Sequence, residues 1–299
     1  MSIRDTLQAL FVTLLWALCY PLISLAIADA PPLSIGAWRA LIAGCTLLTL
    51  AKWQKRKRPS PAVFRAIALA GFGLATLGFA GMFLAGGRVS PGIATVLSNI
   101  QPLLAMLIGL VVLAESITRS RGFVLMLGFI GIVATALPSL LASDGQSSFY
   151  GVAFVGLGAL GVAIGNIVLK HMANEIDPIV AAGWALILGA IPLWGLTIAM
   201  NEALPYRVTP TLIATVFVLA IFGTALALVL WLDLLRRYDL VRVNVFSFMT
   251  TVFALLIGAV FFGETWSTSE WIGIFITLLA VVGMTLLPQD EIESTSNRD

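Results

Sequence analysis

The sequence predicts an all-α polytopic membrane protein with ten transmembrane helices arranged as two inverted five-helix repeats. Three observations predict this: the apolar composition, the length of the apolar runs and the similarity of the two halves. Of the 299 residues, 60% are hydrophobic and 11% are charged, and the mean hydropathy is +1.02. A soluble domain has about 25% charged residues. The composition therefore excludes a water-soluble globule and, with only two cysteines, a secreted chain held by disulfides.

The apolar runs have the length of membrane-spanning helices. A bilayer core requires about 20 apolar helical residues, whereas the strands of an outer-membrane barrel are alternating segments of about 10 residues. Ten runs between charged or turn-forming clusters have the helical length. These predicted spans cover residues 6–27, 33–51, 66–86, 90–113, 120–138, 151–172, 178–199, 211–235, 241–262 and 268–287.

Basic residues are distributed unevenly between the two sides of this ten-span chain. Ten spans place both termini on one side, and 14 of the 17 basic residues fall in the termini and connections of that side. The opposite side holds Arg88 and Arg207, and Arg39 lies inside span 2. Because basic residues accumulate on the cytoplasmic side, we predict that the N-terminus and the C-terminus are both cytoplasmic.

The two halves of the chain resemble each other. Residues 88–115 align without gaps with residues 237–264, at an offset of 149, and Leu107-Ile108-Gly109 then meets Leu256-Ile257-Gly258. Each half carries five spans, and an odd number places the second half upside down relative to the first. Inverted repeats are typical of secondary transporters, and a duplicated scaffold without transport is the alternative. The predicted units are an N-terminal repeat (1–145), an inverted C-terminal repeat (146–288) and a polar cytoplasmic tail (289–299).

The end of the fourth span in each repeat resembles a known family pattern. Pro102 lies in the middle of span 4, which ends at Ala114-Glu115, and the second copy ends at Gly263-Glu264 with Thr251 at the place of Pro102. The whole chain resembles the drug/metabolite transporter superfamily, in its ten-span branch of two EamA-type repeats. This resemblance implies a central cavity lined by spans 1, 3, 4, 6, 8 and 9. Within the superfamily, the sequence is most similar to bacterial inner-membrane exporters of aromatic and other neutral amino acids.

Uncharged polar residues mark spans 1, 4, 6 and 9 independently of that resemblance. Such groups are costly in hydrocarbon unless they meet partners or water. For a single Ser or Thr we favour a hydrogen bond between helices, but the matched stripes as a whole favour a cavity lining. The polar residues are Thr95, Ser98, Asn99 and Gln101 in span 4, Asn244, Ser247, Thr250 and Thr251 in span 9, Tyr20 in span 1 and Asn166 in span 6.

Prolines and aromatic residues add further candidates. Pro21 and Pro102 each leave the carbonyl four residues earlier without its helical hydrogen-bond donor. This carbonyl either accepts a hydrogen bond from a substrate ammonium group, or the proline only produces a kink that shapes helix packing. Both prolines are also candidate hinges. Aromatic residues deep in the spans offer a ring-stacking surface or belong to the core. These are Trp16 and Tyr20 in span 1 and Phe79 and Phe83 in span 3, whereas Trp231 and other aromatics at span ends are assigned to the interfacial belt.

Glycines narrow one side of span 6. Close helix packing is the expected role of such a pattern, and a wide cavity beside it is the alternative. The residues are Gly156, Gly158, Gly161 and Gly165.

Charged residues inside the membrane are few. Arg39 lies about 9 Å from the outer end of span 2 by helix rise, and we expect its side chain to snorkel to the outer interface, with a carboxylate partner as the alternative. Glu115 and Glu264 lie at membrane boundaries, where they cap helices or lock a gate between the halves. No carboxylate lies at mid-membrane, which disfavours proton antiport of cationic drugs.

No enzyme or metal motif occurs in the sequence. The chain has one histidine, two distant cysteines and no zinc-protease, serine-hydrolase or phosphate-loop pattern. We therefore expect no catalysis, no cofactor and no metal site. The net charge is only +2, and the basic residues lie in particular loops. We therefore expect no nucleic-acid partner.

Together these features predict a transporter of the bacterial inner (plasma) membrane that exports aromatic and other neutral amino acids by alternating access. Its expected partners are amino-acid substrates and the lipid bilayer, and we expect it to function as a monomer. The alternatives are an exporter of another neutral metabolite class, such as nucleosides or sugar derivatives, and a non-transporting scaffold. Ion-coupled antiport and facilitated diffusion both remain open.

Overall fold

The computed structural model describes residues 1–85, 98–112, 118–142, 149–172, 175–202, 204–262 and 267–287. Within these ranges all regular structure is helical and forms ten segments, in the order that the sequence predicts. The segments are α1 (Ile3–Ile27), α2 (Pro32–Trp53), α3 (Pro61–Ala85), α4 (Gln101–Val112), α5 (Arg119–Ala142), α6 (Phe149–His171), α7 (Pro178–Ala199), α8 (Pro210–Arg237), α9 (Leu240–Asn244, continued by a 3-10 turn at Val245–Phe248 into Met249–Phe262) and α10 (Thr268–Leu286). Eight of them are long and apolar enough to cross a membrane, and α4 is a shorter apolar helix.

Polar caps and prolines determine where several helices begin. The Asp177 side chain accepts a hydrogen bond from the backbone at the start of α7, and Pro178 follows it at the first helical position. Thr209 caps α8 in the same way, and Ser267 and Glu270 form a reciprocal capping box on α10. These residues satisfy backbone donors that no helical carbonyl can reach, so the apolar runs begin at defined positions.

Contacts between helix ends define two faces of the bundle. Arg237 at the end of α8 pairs with Asp5 at the start of α1, on what we call the amino-terminal face. On the opposite face, called the distal face, the Thr209 hydroxyl donates to the carboxylate of Asp29, 2.5 Å away. Odd-numbered helices therefore begin, and even-numbered helices end, at the amino-terminal face.

The contacts between the two halves are symmetric. α2 packs against its repeat equivalent α7, and α5 packs against α10. α3 and α4 both pack on α6. Their repeat equivalents, α8 and α9, both pack on α1, which is the equivalent of α6. Exchanging the halves reproduces this set of contacts, as a two-fold axis does. Because the equivalent helices α1 and α6 begin on opposite faces, the axis lies in the membrane plane and the repeats are inverted.

Both α3 and α8 contain a π-helical turn at the same place in the repeat. The turns cover Phe72–Leu77 and Ile221–Leu226, and the offset between them equals the 149 residues of the sequence alignment. Such turns are rare and occur frequently at functional sites. The hydrophobic pattern of the sequence did not predict them.

Glycines let α3 pass very close to α6 and α7. A Cβ atom on Gly71 would lie 2.0 Å from the carbonyl oxygen of Ala185 in α7, and one on Gly161 of α6 would lie 2.7 Å from the carbonyl oxygen of Gly73. Gly158 and Gly165 face α3 in the same way, whereas Gly156 faces open space. Three of the four span-6 glycines thus mediate the close packing that the sequence predicts.

Candidate functional site

The polar stripes of α4 and α9 meet directly. The Asn99 amide donates to the hydroxyl of Thr251 at 3.2 Å, and the Gln101 amide donates to the side-chain oxygen of Asn244 at 3.4 Å. Asn244 itself donates to the carbonyl of Leu240 at 2.9 Å. The polar stripes that the sequence predicts in spans 4 and 9 therefore meet across the boundary between the halves.

The two stripes differ in how deeply they are buried. On α9, Asn244, Ser247 and Thr251 are buried, and the Ser247 hydroxyl donates to the carbonyl of Asn244 at 2.7 Å. Thr250 and the α4 residues of the stripe are partly exposed, namely Ser98, Asn99 and Gln101. In this conformation the α9 stripe is held by hydrogen bonds, and the α4 stripe keeps accessible polar surface.

The backbone is irregular at this place in both halves. Asn99 and Ile100 form a turn, and α4 begins at Gln101. Pro102 therefore lies in the first turn of a helix, where its missing N–H costs nothing, and not inside the continuous helix that the sequence predicts. The corresponding part of α9 is the 3-10 turn at Val245–Phe248. By contrast, Pro21 lies inside the continuous helix α1, as predicted.

Asn166 of α6 is buried, with 3% of its surface exposed. No residue in the described ranges forms a hydrogen bond with its side-chain amide. Asn166 lies on α6, which packs on α4 next to the polar stripe.

The four aromatic candidates have different environments. The Trp16 ring packs on the Trp231 ring, with centroids 4.9 Å apart, and Trp231 is 1% exposed. The assignment of Trp231 to the interfacial belt is therefore wrong, because its ring lies in the contact between α1 and α8. Phe83 is also buried and packs against Gly36 of α2, whereas Phe79 is partly exposed.

Arg39 does not reach the membrane surface, so the expected snorkelling is wrong. Its side chain is 6% exposed and extends from α2 to the π-helical turn of α8. Nε donates to the hydroxyl of Thr224 at 2.5 Å, and Nη2 donates to the carbonyl of Gly223 at 3.1 Å. The guanidinium carbon also lies 5.0 Å from the centre of the Phe79 ring, an attractive cation–π geometry.

Ion pairs between the halves cover the amino-terminal face. Arg237 pairs with Asp5 of α1 and with Asp233 of α8, and the Tyr238 hydroxyl donates to Asp5 at 2.6 Å. Burial and the contact with Asp5 raise the pKa of the Tyr238 phenol, which keeps it a donor. Two further pairs join the halves on this face, Arg56–Asp177 and Arg121–Asp239.

Sequence reasoning predicted a gate at other residues. Glu115, Glu264 and Thr95 lie outside the described residues, as does the side chain of Tyr20. The network at Asp5 and Tyr238 was missed, because residues more than 200 positions apart in sequence give no periodic signal. Its one sequence signal is the concentration of charges at the predicted cytoplasmic ends of spans 1 and 8.

Comparison with known proteins identifies the family. The model of the EamA-like transporter family matches twice, over residues 6–137 and 149–286. The chain is 28% identical to the chloroplastic WAT1-related protein At3g02690 of Arabidopsis thaliana, over 84% of this chain and 62% of that protein, so it spans less than two thirds of that relative. It is 26% identical to the uncharacterized transporter sll0355 of Synechocystis, over 94% and 89% of the two chains.

Two other matches cover nearly the whole length. Protein PecM of Dickeya dadantii is 24% identical over 94% of this chain and 92% of that protein. A crystal structure aligns with a TM-score of 0.77 over 96% of this chain and 98% of the other, at 20% identity, which supports the fold alone. These relatives support the family and do not single out exporters of aromatic amino acids. The chain is a multi-pass membrane transporter and belongs to the EamA-like transporter family.

Proposed function

We propose that this transporter exports aromatic and other neutral amino acids across the bacterial inner membrane by alternating access. The observation that carries the proposal is the turn at Asn99-Ile100, next to polar side chains in the middle of a predicted span. Non-helical backbone at membrane depth occurs only where it is buried in protein or lines a water-filled cavity. In transporters with inverted repeats, interrupted helices of this kind form the substrate site.

The chemistry of the site suits a neutral or zwitterionic cargo. Amide side chains supply both donors and acceptors, and three amides are present: Asn99 in the turn before α4, Gln101 in α4 and Asn166 in α6. No span carries an acid near its middle, so the site lacks the carboxylate that would attract a lipophilic cation. The partly exposed ring of Phe79 supports an apolar or aromatic side chain on the cargo.

The symmetry of the fold supports alternating access. A two-fold axis in the membrane plane allows the halves to form equivalent contacts at either face. We identify the amino-terminal face with the cytoplasm, since the basic connections lie there. Among the described residues, three ion pairs join the halves at this face, and they must open before a cytoplasmic substrate enters.

Tolerance of toxic amino-acid analogues tests this function in cells. Cells that express the protein are expected to survive higher concentrations of toxic analogues of aromatic amino acids. The variants Gln101→Ala and Asn166→Ala are expected to lose that tolerance while remaining in the membrane. Thr285→Val is the matched control, because Thr285 is partly exposed on α10 and its hydroxyl bonds within its own helix.

Two outcomes would contradict the proposal. One is unchanged sensitivity to every analogue although the protein is inserted. The other is tolerance of nucleoside or sugar-derivative toxins instead, which would favour the second metabolite class. Equal tolerance in the wild type and both alanine variants would remove the site assignment alone.

A further inference from the structure

Arg39 places a positive charge where four helices meet, deep in the bundle. Its guanidinium bonds to Thr224 and Gly223 of α8, contacts the Cys19 sulfur of α1 at 3.6 Å and lies over Phe79 of α3. The turn that holds it, Ile221–Leu226, is near the middle of the 28-residue helix α8. The charge is therefore located well inside the membrane.

Among the described residues, no acid neutralises this charge. Every partner of Arg39 is uncharged, and α2 and α3 contain no acidic residue. In α8 the single acid is Asp233, nine residues beyond Thr224, or about 14 Å along the axis. In α1 it is Asp5, at the start of the helix. A buried charge without a counter-charge is strongly unfavourable, and intramembrane cations generally mark a pathway or a ligand site.

The fold does not require a cation at this position. The equivalent π-helical turn in α3 is joined to α7 by the Thr76 hydroxyl, which donates to the carbonyl of Gly189 at 2.7 Å. In the repeat, Ala75 corresponds to Thr224 and Ala185 corresponds to Arg39. One half thus holds its turn with a neutral hydroxyl, and the other with a buried charge. The positive charge of Arg39 is therefore not needed to hold the π-helical turn against its neighbouring helix, which indicates a second role for this residue.

The hydrogen bonds of Arg39 use Nε and both N–H groups of Nη2, which bond to Thr224, Gly223 and Cys19. Nη1, with two N–H donors, has no hydrogen-bond partner among the described residues. The fixed Nε and Nη2 hold the plane of the group, with the Phe79 ring beneath it. A guanidinium held in this way presents Nη1 to a carboxylate oxygen, with which it can form a charge-assisted hydrogen bond.

We propose that Arg39 binds the carboxylate of the transported molecule. This inference rests on the proposed function and deepens it, because it assigns the carboxylate of the amino acid to one residue. The α1–α2–α3–α8 junction then holds the charged end of the cargo, and the amides of α4 and α6 contact the rest. Because the second half lacks an equivalent, each transporter binds one carboxylate at a time.

Pairs of ligands that differ only at the carboxyl group test the inference. The dissociation constants of phenylalanine and phenylalaninamide are measured by the thermal stabilisation of purified protein. A second pair, 3-phenylpropionate and its amide, lacks the amino group. The wild type is expected to bind each acid at least about tenfold more tightly than its amide, the strength of a charge-assisted hydrogen bond.

Variants assign that preference to Arg39. In Arg39→Gln the acid and the amide of each pair are expected to bind equally well, while Arg39→Lys keeps part of the preference. Arg65→Gln is the matched control, because Arg65 is exposed at the amino-terminal end of α3, and it is expected to behave as the wild type. This pairing of a ligand change with a residue change isolates their interaction from general effects on stability.

Each outcome decides the question. An unchanged preference in Arg39→Gln, or equal binding of acid and amide by the wild type, overturns the inference, and the wild-type result applies even where the variant does not fold. If phenylalanine does not bind but 3-phenylpropionate does, with the Arg39 dependence intact, then the proposed amino-acid function fails and the carboxylate site stands. If neither acid binds, the carboxylate site is overturned.

Discussion

Single residues show where sequence position determines environment and where it does not. Asn244 and Gln101 were predicted to line one polar region because they belong to the matched polar stripes of spans 9 and 4, and their side chains lie 3.4 Å apart. Arg39 and Trp231 were misassigned because hydropathy gives depth along a helix but not the neighbouring helix. Arg39 is retained at depth by the π-helical turn of α8, and Trp231 by the ring of Trp16. Neither neighbour can be derived from the period of one helix.

Gly71 provides a prediction at the residue scale. In Gly71→Ala the new Cβ atom would lie 2.0 Å from the carbonyl oxygen of Ala185, so α3 and α7 must separate. We expect destabilisation of about 3 kcal/mol, the upper range for overpacking, measured as a lower Tm in detergent. Gly195→Ala is the control on α7, because a Cβ atom there meets nothing within 4 Å. A Tm for Gly71→Ala equal to that of this control would contradict the close packing.

At the scale of helices, the sequence predicts the order of the helices and the length of most of them. The ten predicted spans correspond to the ten described segments because a bilayer requires apolar runs of fixed length with internally satisfied backbone. The irregular turns were not predicted. The π-helical turns of α3 and α8 and the break before Gln101 depend on contacts between helices. Helix propensity does not encode those contacts.

The junction of α1 with α8 provides a prediction for these elements. Asp5→Asn removes the charge that Arg237 binds across the two halves, and it leaves the isosteric side chain in place. A part-buried pair contributes about 1 kcal/mol, so the amino-terminal face should open about fivefold more often. The measurement is the rate at which an impermeant thiol reagent, applied from that face, labels an Asn166→Cys protein with and without Asp5→Asn.

A matched variant controls for general loosening. Glu270→Gln also neutralises an acid near a helix start, but on the distal face, where Glu270 caps its own helix. It should leave the labelling rate unchanged. Equal rates with and without Asp5→Asn would show that this ion pair does not hold the face closed. Absence of labelling from both faces would remove Asn166 from the substrate pathway.

At the scale of the whole molecule, charge and repeat together predict the topology. Each half has an odd number of spans, so the second half must be inverted relative to the first. The contacts of α2 with α7 and of α5 with α10 agree with this inverted arrangement. The sequence could not reveal which contacts close which face. That depends on ion pairs such as Arg56–Asp177, which form between connections rather than within spans. The family is therefore readable from the sequence, whereas the conformation is not.

Counterflow in proteoliposomes measures whether the protein transports neutral amino acids. Purified protein is reconstituted with unlabelled phenylalanine inside, and labelled phenylalanine is added outside at about pH 6 and about pH 8. We expect labelled uptake well above that of protein-free liposomes, with similar rates at both pH values because the spans carry no carboxylate near their middle. Counterflow of nucleosides or sugar derivatives by the same preparation, with none of any amino acid, would contradict the proposed amino-acid transport.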